Sequence, residues 1–232
     1  KNGAFEHTLV ETKFGGQMWV DTLFMARLFL VRAGLLFHIP EAVDEGIRQY
    51  RIHMEKLQQS NGLLFHGWDE GKNRTIGCQW ARGNAWASIV MVDLLAMLPK
   101  GHKALGDIKK ALLLQLDGLK QMQDPSGLWT TVLTSPETYL ETSAAAGISY
   151  AVAKGIRIGC LEHEYAPMAE TAMRSVLAHV DWNGELRGVS SGTGVQSHPG
   201  EYHVIARDRT ESYGQGLLLM MLSEAVFVKE LS

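Results

Sequence analysis

Asp21 lies in the run Gly16-Gln17-Met18-Trp19-Val20-Asp21-Thr22-Leu23-Phe24-Met25-Ala26, a single carboxylate and an indole among mostly apolar neighbours. Leu28, Phe29, Leu30 and Val31 continue the run, which predicts a helix from near Gln17 that is apolar nearly all round and therefore buried. A carboxylate in such a helix is desolvated, its pKa rises, and it suits general acid work. The plainer alternative is an aspartate near a helix start that only complements the helix dipole.

Three further clusters carry chemically useful side chains. Leu64-Phe65-His66-Gly67-Trp68-Asp69-Glu70 places a histidine, an indole and two carboxylates in one loop, although each read singly is a structural histidine or a charged rim. Gln79-Trp80-Ala81-Arg82-Gly83-Asn84-Ala85-Trp86 puts Trp80, Arg82 and Trp86 within two turns of a helix start. A buried arginine there needs an anion: a ligand carboxylate, or an internal pair with Asp21, Asp69 or Glu70. Tryptophan faces stack well on sugar rings. Glu141, ahead of the small-residue stretch Thr142 to Gly147, is a possible second carboxylate. The segment from Gly188 to Glu211 holds Ser190-Ser191-Gly192-Thr193-Gly194, His198, Tyr202, His203 and Arg209; it has no regular pattern and reads as a lid or binding loop. No P-loop, HExxH, GxSxG or metal-ligand spacing is present, so neither a metal nor another cofactor is implied.

The elements that position these residues repeat along the chain. Asn2-Gly3, Asn61-Gly62, Ser126-Gly127 and Asn183-Gly184 each open a short extended stretch, and their glycines are spaced by 59, 65 and 57 residues. Each leads through a loop into a mostly apolar helix, starting near Gln17, Gln79, Tyr139 and Ser212. Amphipathic helices follow the first three, over 40–59, 102–123 and 162–180. Buried inner helices paired with amphipathic outer ones make an all-α, α/α-toroid domain over residues 1–232, with the loops ahead of the inner helices gathered at one mouth. Four inner and three outer helices fall short of a closed ring of six hairpins, so apolar inner-helix surface is expected to be exposed and to favour a homo-oligomer.

With 232 residues, 46% hydrophobic and 20% charged, the chain can bury a sizeable core, and its net charge of -3 offers no case for nucleic acid or an anionic membrane surface as a partner. The apolar runs are broken before membrane-spanning length, and no signal peptide is visible, although the chain begins Lys-Asn-Gly rather than Met and a removed leader stays open. Cys78 and Cys160 are isolated and fit reduced packing residues, which favours the cytoplasm.

Met18-Trp19-Val20-Asp21-Thr22-Leu23-Phe24-Met25, His66-Gly67-Trp68-Asp69-Glu70, Trp80-Ala81-Arg82-Gly83-Asn84-Ala85-Trp86 and Tyr139-Leu140-Glu141-Thr142-Ser143-Ala144 together resemble the unsaturated rhamnogalacturonyl hydrolases of glycoside hydrolase family 105. Gly155-Ile156-Arg157 and Ser212-Tyr213-Gly214-Gln215-Gly216 extend the likeness over nearly the whole chain. The resemblance implies an (α/α)6-barrel and hydrolysis of a 4,5-unsaturated uronic acid from the non-reducing end of lyase-generated oligosaccharides, with no cofactor. It implies that Asp21 is the general acid and base, that Arg82 to Trp86 bind substrate, and that His66 and His7 belong to the sugar site. It extends the substrate site to Tyr202 in the glycine-rich loop. Members usually carry roughly two more such repeats before the aspartate motif. Two other readings are a non-catalytic sugar-binding or assembly remnant of the same fold, and another toroid enzyme such as an epimerase, which needs two histidines facing across the pocket.

Overall fold

A computed structural model of the chain describes residues 3–228. Its long helices alternate as the repeat predicts. The inner ones are a π-helical turn Leu23–Leu28 running into α1 (Phe29–Leu36), then α3 (Ala81–Met97), α5 (Thr142–Arg157) and α8 (Ser212–Val228). The outer ones are α2 (Pro40–Leu57), α4 (Leu105–Met122) and α6 (Ala166–Leu177). Each outer helix packs on the inner helix before it, and α3, α5 and α8 lie side by side. A five-residue helix, α7 (Pro199–His203), interrupts the long loop that the sequence leaves without structure. Pro199 at its first turn and the bond from Ser197 N–H to Glu201 Oε2 (2.7 Å) account for it.

The repeated Asn/Ser-Gly pair has a physical cause. Gln59, Asp124 and Asp181 each donate their N–H to the carbonyl four residues on, and accept at their own carbonyl from Gly62, Gly127 and Gly184. Asn61, Ser126 and Asn183 brace these turns by accepting from the N–H two residues later. The three glycines sit at φ +84°, +94° and +84°, which a side chain disfavours. Asn2 of the first turn lies outside the described residues.

Between outer and inner helices sit short strands: β1 (Gln17–Trp19), β2 (Gly67–Asp69) and β3 (Arg74–Ile76) form one antiparallel sheet, and β4 (Trp129–Thr130) pairs with β5 (Leu140–Glu141). The expected helix start at Gln17 is therefore wrong. Gln17 to Trp19 pair with Gly67 to Asp69 across the sheet, and the helix begins only at Leu23.

Every residue from Ala81 to Leu94 on α3 is buried, as is Thr142 to Ala153 on α5, so these two helices form the core wall. Asp93 on α3 ties three inner helices together, accepting from Tyr150 Oη (2.9 Å) and Lys154 Nζ (2.7 Å) and pairing with Arg32. The first inner helix departs from expectation, because Met25, Phe29 and Leu36 are 57%, 68% and 72% exposed. On α8, Leu219 and Val226 are likewise exposed. These two helices flank the wall, and among the described residues each has an inner neighbour on one side only, which leaves the other apolar face uncovered by them. No helix among the described residues is long and apolar enough to cross a membrane.

Candidate active site

The segments ahead of the four inner helices meet at one end of the wall. Val20 donates to the His66 carbonyl (2.8 Å) and His66 N–H to the Cys78 carbonyl (2.9 Å), so the Asp21 turn is tied to the His66 loop and that loop to the start of α3. Asn84, buried on α3, grips the same loop through both amide atoms, accepting from Leu64 N–H (2.8 Å) and donating to its carbonyl (2.9 Å). Gly83 lets the Asp21 turn approach α3, since a Cβ at this position would fall 2.4 Å from Val20 Cγ1. Gly83→Ala is expected to lower stability by about 1–3 kcal/mol through overpacking, read as a reduced denaturant midpoint at unchanged slope.

What this scaffold holds is a file of rings. His7 stacks on Trp19 (centroids 3.6 Å), Trp19 meets His66 edge-on (5.3 Å), and His66 stacks on Trp80 (4.4 Å). The Arg82 guanidinium then lies between Trp80 (4.7 Å) and Tyr213 (4.6 Å). Trp19 and Tyr213 are the members the sequence does not mark as site residues; Trp19 reads there as part of a buried helix, whereas it lies on an edge strand.

Asp21 stands beside this file, with its Oδ1 3.9 Å from His7 Nδ1; both atoms are shut from solvent and neither has a hydrogen-bond partner among the described residues. About a fifth of the Asp21 side chain (21%) stays open. Burial raises the Asp21 pKa, against the opposing pull of His7, of the backbone N–H groups of Asp21 and Thr22, and of Arg82. Behind it, Arg27 is buried, donates to the Thr22 carbonyl (2.5 Å), and is brought down to about 9 by desolvation, with Asp21 pulling the other way. The dipole-only reading of Asp21 does not describe this surrounding.

Both terminal nitrogens of Arg82 are engaged inside the protein. Nη1 meets Glu141 Oε1 (3.3 Å), Ser190 Oγ (2.5 Å) and the Ser190 carbonyl (2.8 Å), and Nη2 meets the Ser191 carbonyl (3.1 Å) and Thr193 Oγ1 (3.1 Å). Its anionic partner is thus Glu141, not Asp21, Asp69 or Glu70. Glu141 also caps α5 by accepting from Ala144 N–H (2.6 Å) and accepts from Ser190 N–H (3.0 Å). The pair fastens the Ser190–Thr193 stretch of the long loop to α3 and α5.

The remaining predicted residues fall in different places. His66 and Tyr202 are completely buried and joined by a 2.7 Å contact between Nδ1 and Oη. Desolvation, with Arg82 and His7 adding to it, pushes the His66 pKa down to about 3. Trp80 is buried, and its Nε1 has no partner among the described residues. Trp86 packs on Phe24 (centroids 4.5 Å), further along α3 than the ring file. Asp69 and Glu70 are the charged rim: Asp69 holds the Lys72 N–H (2.9 Å) and pairs with Lys72 Nζ (3.1 Å), while Glu70 accepts from Trp68 Nε1 (3.3 Å). Among the described residues, no group of three or more His, Cys, Asp or Glu side chains is placed to hold a metal ion. Cys78 and Cys160 are free and partly buried.

Comparison with known proteins gives the family and the fold. The sequence profile of Glycosyl Hydrolase Family 88 matches residues 1–229. An unsaturated rhamnogalacturonyl hydrolase of Bacillus subtilis strain 168 is 33% identical, over 98% of this chain and 66% of its own length. The crystal structure of a possible family 105 member from Salmonella enterica serovar Paratyphi A superposes with a TM-score of 0.93 at 36% identity, covering all of this chain and 62% of that one. The chain therefore spans less than two thirds of the length of these relatives. A shorter relative, protein Atu3128 of Agrobacterium fabrum, is 28% identical, and its match takes in 97% of its own length and 86% of this chain.

Proposed function

The chain belongs to Glycosyl Hydrolase Family 88, and from that membership we propose that it removes a 4,5-unsaturated uronic acid from the non-reducing end of lyase-generated oligosaccharides, an unsaturated rhamnogalacturonan disaccharide first among them. The observation that carries the reading is Asp21, a carboxyl group of raised pKa beside the ring file. A raised pKa keeps more of the acid protonated near neutrality, as protonation of a vinyl ether carbon requires.

In this scheme the Asp21 proton passes to C4 of the uronate, and the positive charge is shared between C5 and the ring oxygen. The resulting carboxylate takes a proton from water as its oxygen bonds to C5. The hemiketal so formed opens, and the next sugar leaves. One carboxyl group acts twice, so the pair of carboxyls flanking a glycosidic bond in ordinary glycosidases is not needed. His7, Trp80 and Arg82 belong to the substrate site in this reading, with Arg82 shaping it through the loop it fastens; Trp86, expected there from the sequence, is instead buried against Phe24 further along α3. An epimerase asks two histidines to exchange protons across the pocket. His66, with a pKa near 3 and Nδ1 engaged, is unsuited to that.

The direct test follows the ultraviolet absorbance of the conjugated uronate while the folded chain is incubated with the unsaturated disaccharide. Loss of absorbance supports the hydrolase. Unchanged absorbance with the disaccharide still bound leaves the non-catalytic sugar-binding reading in its place.

The electrostatics add a second expectation. His7 draws the Asp21 pKa down, so His7→Gln lets it rise further. Since the protonated acid starts the reaction, the alkaline limb of the kcat/KM profile is expected to move to higher pH in His7→Gln, whatever happens to the plateau. A limb that stays in place shows that His7 does not govern the ionisation of Asp21.

A further inference from the structure

Tyr202 Oη has three polar neighbours: Cys78 N–H (3.3 Å), Gln196 N–H (3.3 Å) and His66 Nδ1 (2.7 Å). The two backbone groups can only donate, so they take up both lone pairs of the phenol oxygen. The phenol hydrogen then has His66 Nδ1 as its acceptor. The reverse arrangement, with Nδ1–H donating to the oxygen, crowds three donors onto one atom and strands the phenol hydrogen in a buried site. The neutral imidazole must carry its proton on the other nitrogen, and Nε2 is buried with no partner among the described residues.

We propose that Tyr202 is a positioning residue that holds His66 in the Nε2-protonated tautomer, leaving the Nε2–H of His66 as a donor reserved for an oxygen atom of the bound uronate. The proposal rests on the hydrolase reading for its ligand but not for its tautomer. It changes the role of Tyr202: the side chain is completely buried and acts through His66 rather than on the sugar.

The backbone is shaped to admit this contact. Gly77 follows β3 at φ +76°, and a Cβ there would lie 2.7 Å from Tyr202 Oη and 2.8 Å from His66 Cβ. Burial keeps the imidazole neutral throughout the working pH range, so the tautomer, not the charge, is what the phenol sets. Because Tyr202 rides on α7 within the long loop, the donor is correctly presented only with that loop in place.

The test is a long-range proton–nitrogen correlation spectrum of the full chain labelled with nitrogen-15, with the His66 signals assigned by their loss in His66→Gln. The wild-type His66 signals are expected to show the Nε2–H pattern and to stay fixed between about pH 5 and 8. In Tyr202→Phe they are expected to shift toward Nδ1 protonation, with kcat on the unsaturated disaccharide falling about tenfold or more. A wild-type spectrum with the proton on Nδ1 overturns the proposal, as does a Tyr202→Phe protein with unchanged signals. Should Tyr202→Phe not fold, 3-fluorotyrosine labelling strengthens the phenol as a donor without deleting it. The His66 Nδ1 resonance must then move, and a fixed resonance overturns the proposal. Failure of the wild-type chain to turn over the disaccharide removes the hydrolase reading alone, because the spectrum decides the tautomer without substrate.

Discussion

Asp21→Asn is expected to lower turnover of the unsaturated disaccharide by about 10²–10⁴-fold, the usual worth of general acid–base catalysis, while making the folded chain more stable at neutral pH. The two effects have one origin. Burial disfavours the Asp21 carboxylate and raises its pKa in the folded state. A group whose folded pKa lies above its unfolded value binds protons more tightly in the native state, so its contribution to stability declines as pH rises between the two values. Above the folded pKa the penalty is fully developed; below the unfolded value it vanishes. Asparagine cannot ionise and carries no such penalty. Thermal unfolding at neutral pH and at about pH 3 separates the cases: the asparagine variant should gain in Tm at the higher pH and lose that gain at the lower. Full turnover by Asp21→Asn sinks the catalytic assignment. A lower Tm at neutral pH sinks the claim that the carboxylate is held at a cost to the fold, a cost often met where activity and stability oppose each other.

The parts of this protein legible in its sequence are those fixed by local chemistry. The turn glycines 62, 127 and 184 announce themselves because a left-handed backbone and an Asn or Ser brace are properties of adjacent residues. The outer helices were equally plain, since their apolar spacing needs no partner to be seen. What was hidden depends on distant pairing. Gln17 to Trp19 form a strand because β2 offers its edge fifty residues later, and no local pattern distinguishes that from the first turn of an apolar helix. The exposure of Phe29 and Leu36 reflects which neighbours are present in the ring, not their own hydrophobicity. Among the site residues, Asp21, His7, His66 and Trp80 come together, while Trp86 stands further down its helix on Phe24. Arg82 was visible as a buried cation in want of an anion. Its partner Glu141 was not, because the pair spans 59 residues and two carboxylates closer in sequence, Asp69 and Glu70, competed for it.

That pairing makes Glu141→Ala the variant with the largest expected effect on stability. Arg82 is 3% exposed and Glu141 0%, so neither charge has water to fall back on. Removing one partner of a buried pair leaves the other unbalanced, which costs about 3–5 kcal/mol, a large share of the 5–15 kcal/mol that a typical domain has to lose. The same substitution removes the α5 cap at Ala144 N–H and the acceptor for Ser190 N–H, so the loss is felt at the helix start and in the loop together. Glu141→Gln keeps the shape and an acceptor oxygen, and isolates the charge: it is expected to recover the cap but not the full pair. Denaturant unfolding of the two variants orders them wild type, then Gln, then Ala. If Arg82 existed chiefly to await a substrate carboxylate, it would tolerate the loss of Glu141, and both variants would unfold within about 0.5 kcal/mol of wild type. A graded loss instead makes Arg82 the strut that holds Ser190 to Thr193 beside the ring file, with its effect on substrate transmitted through the loop.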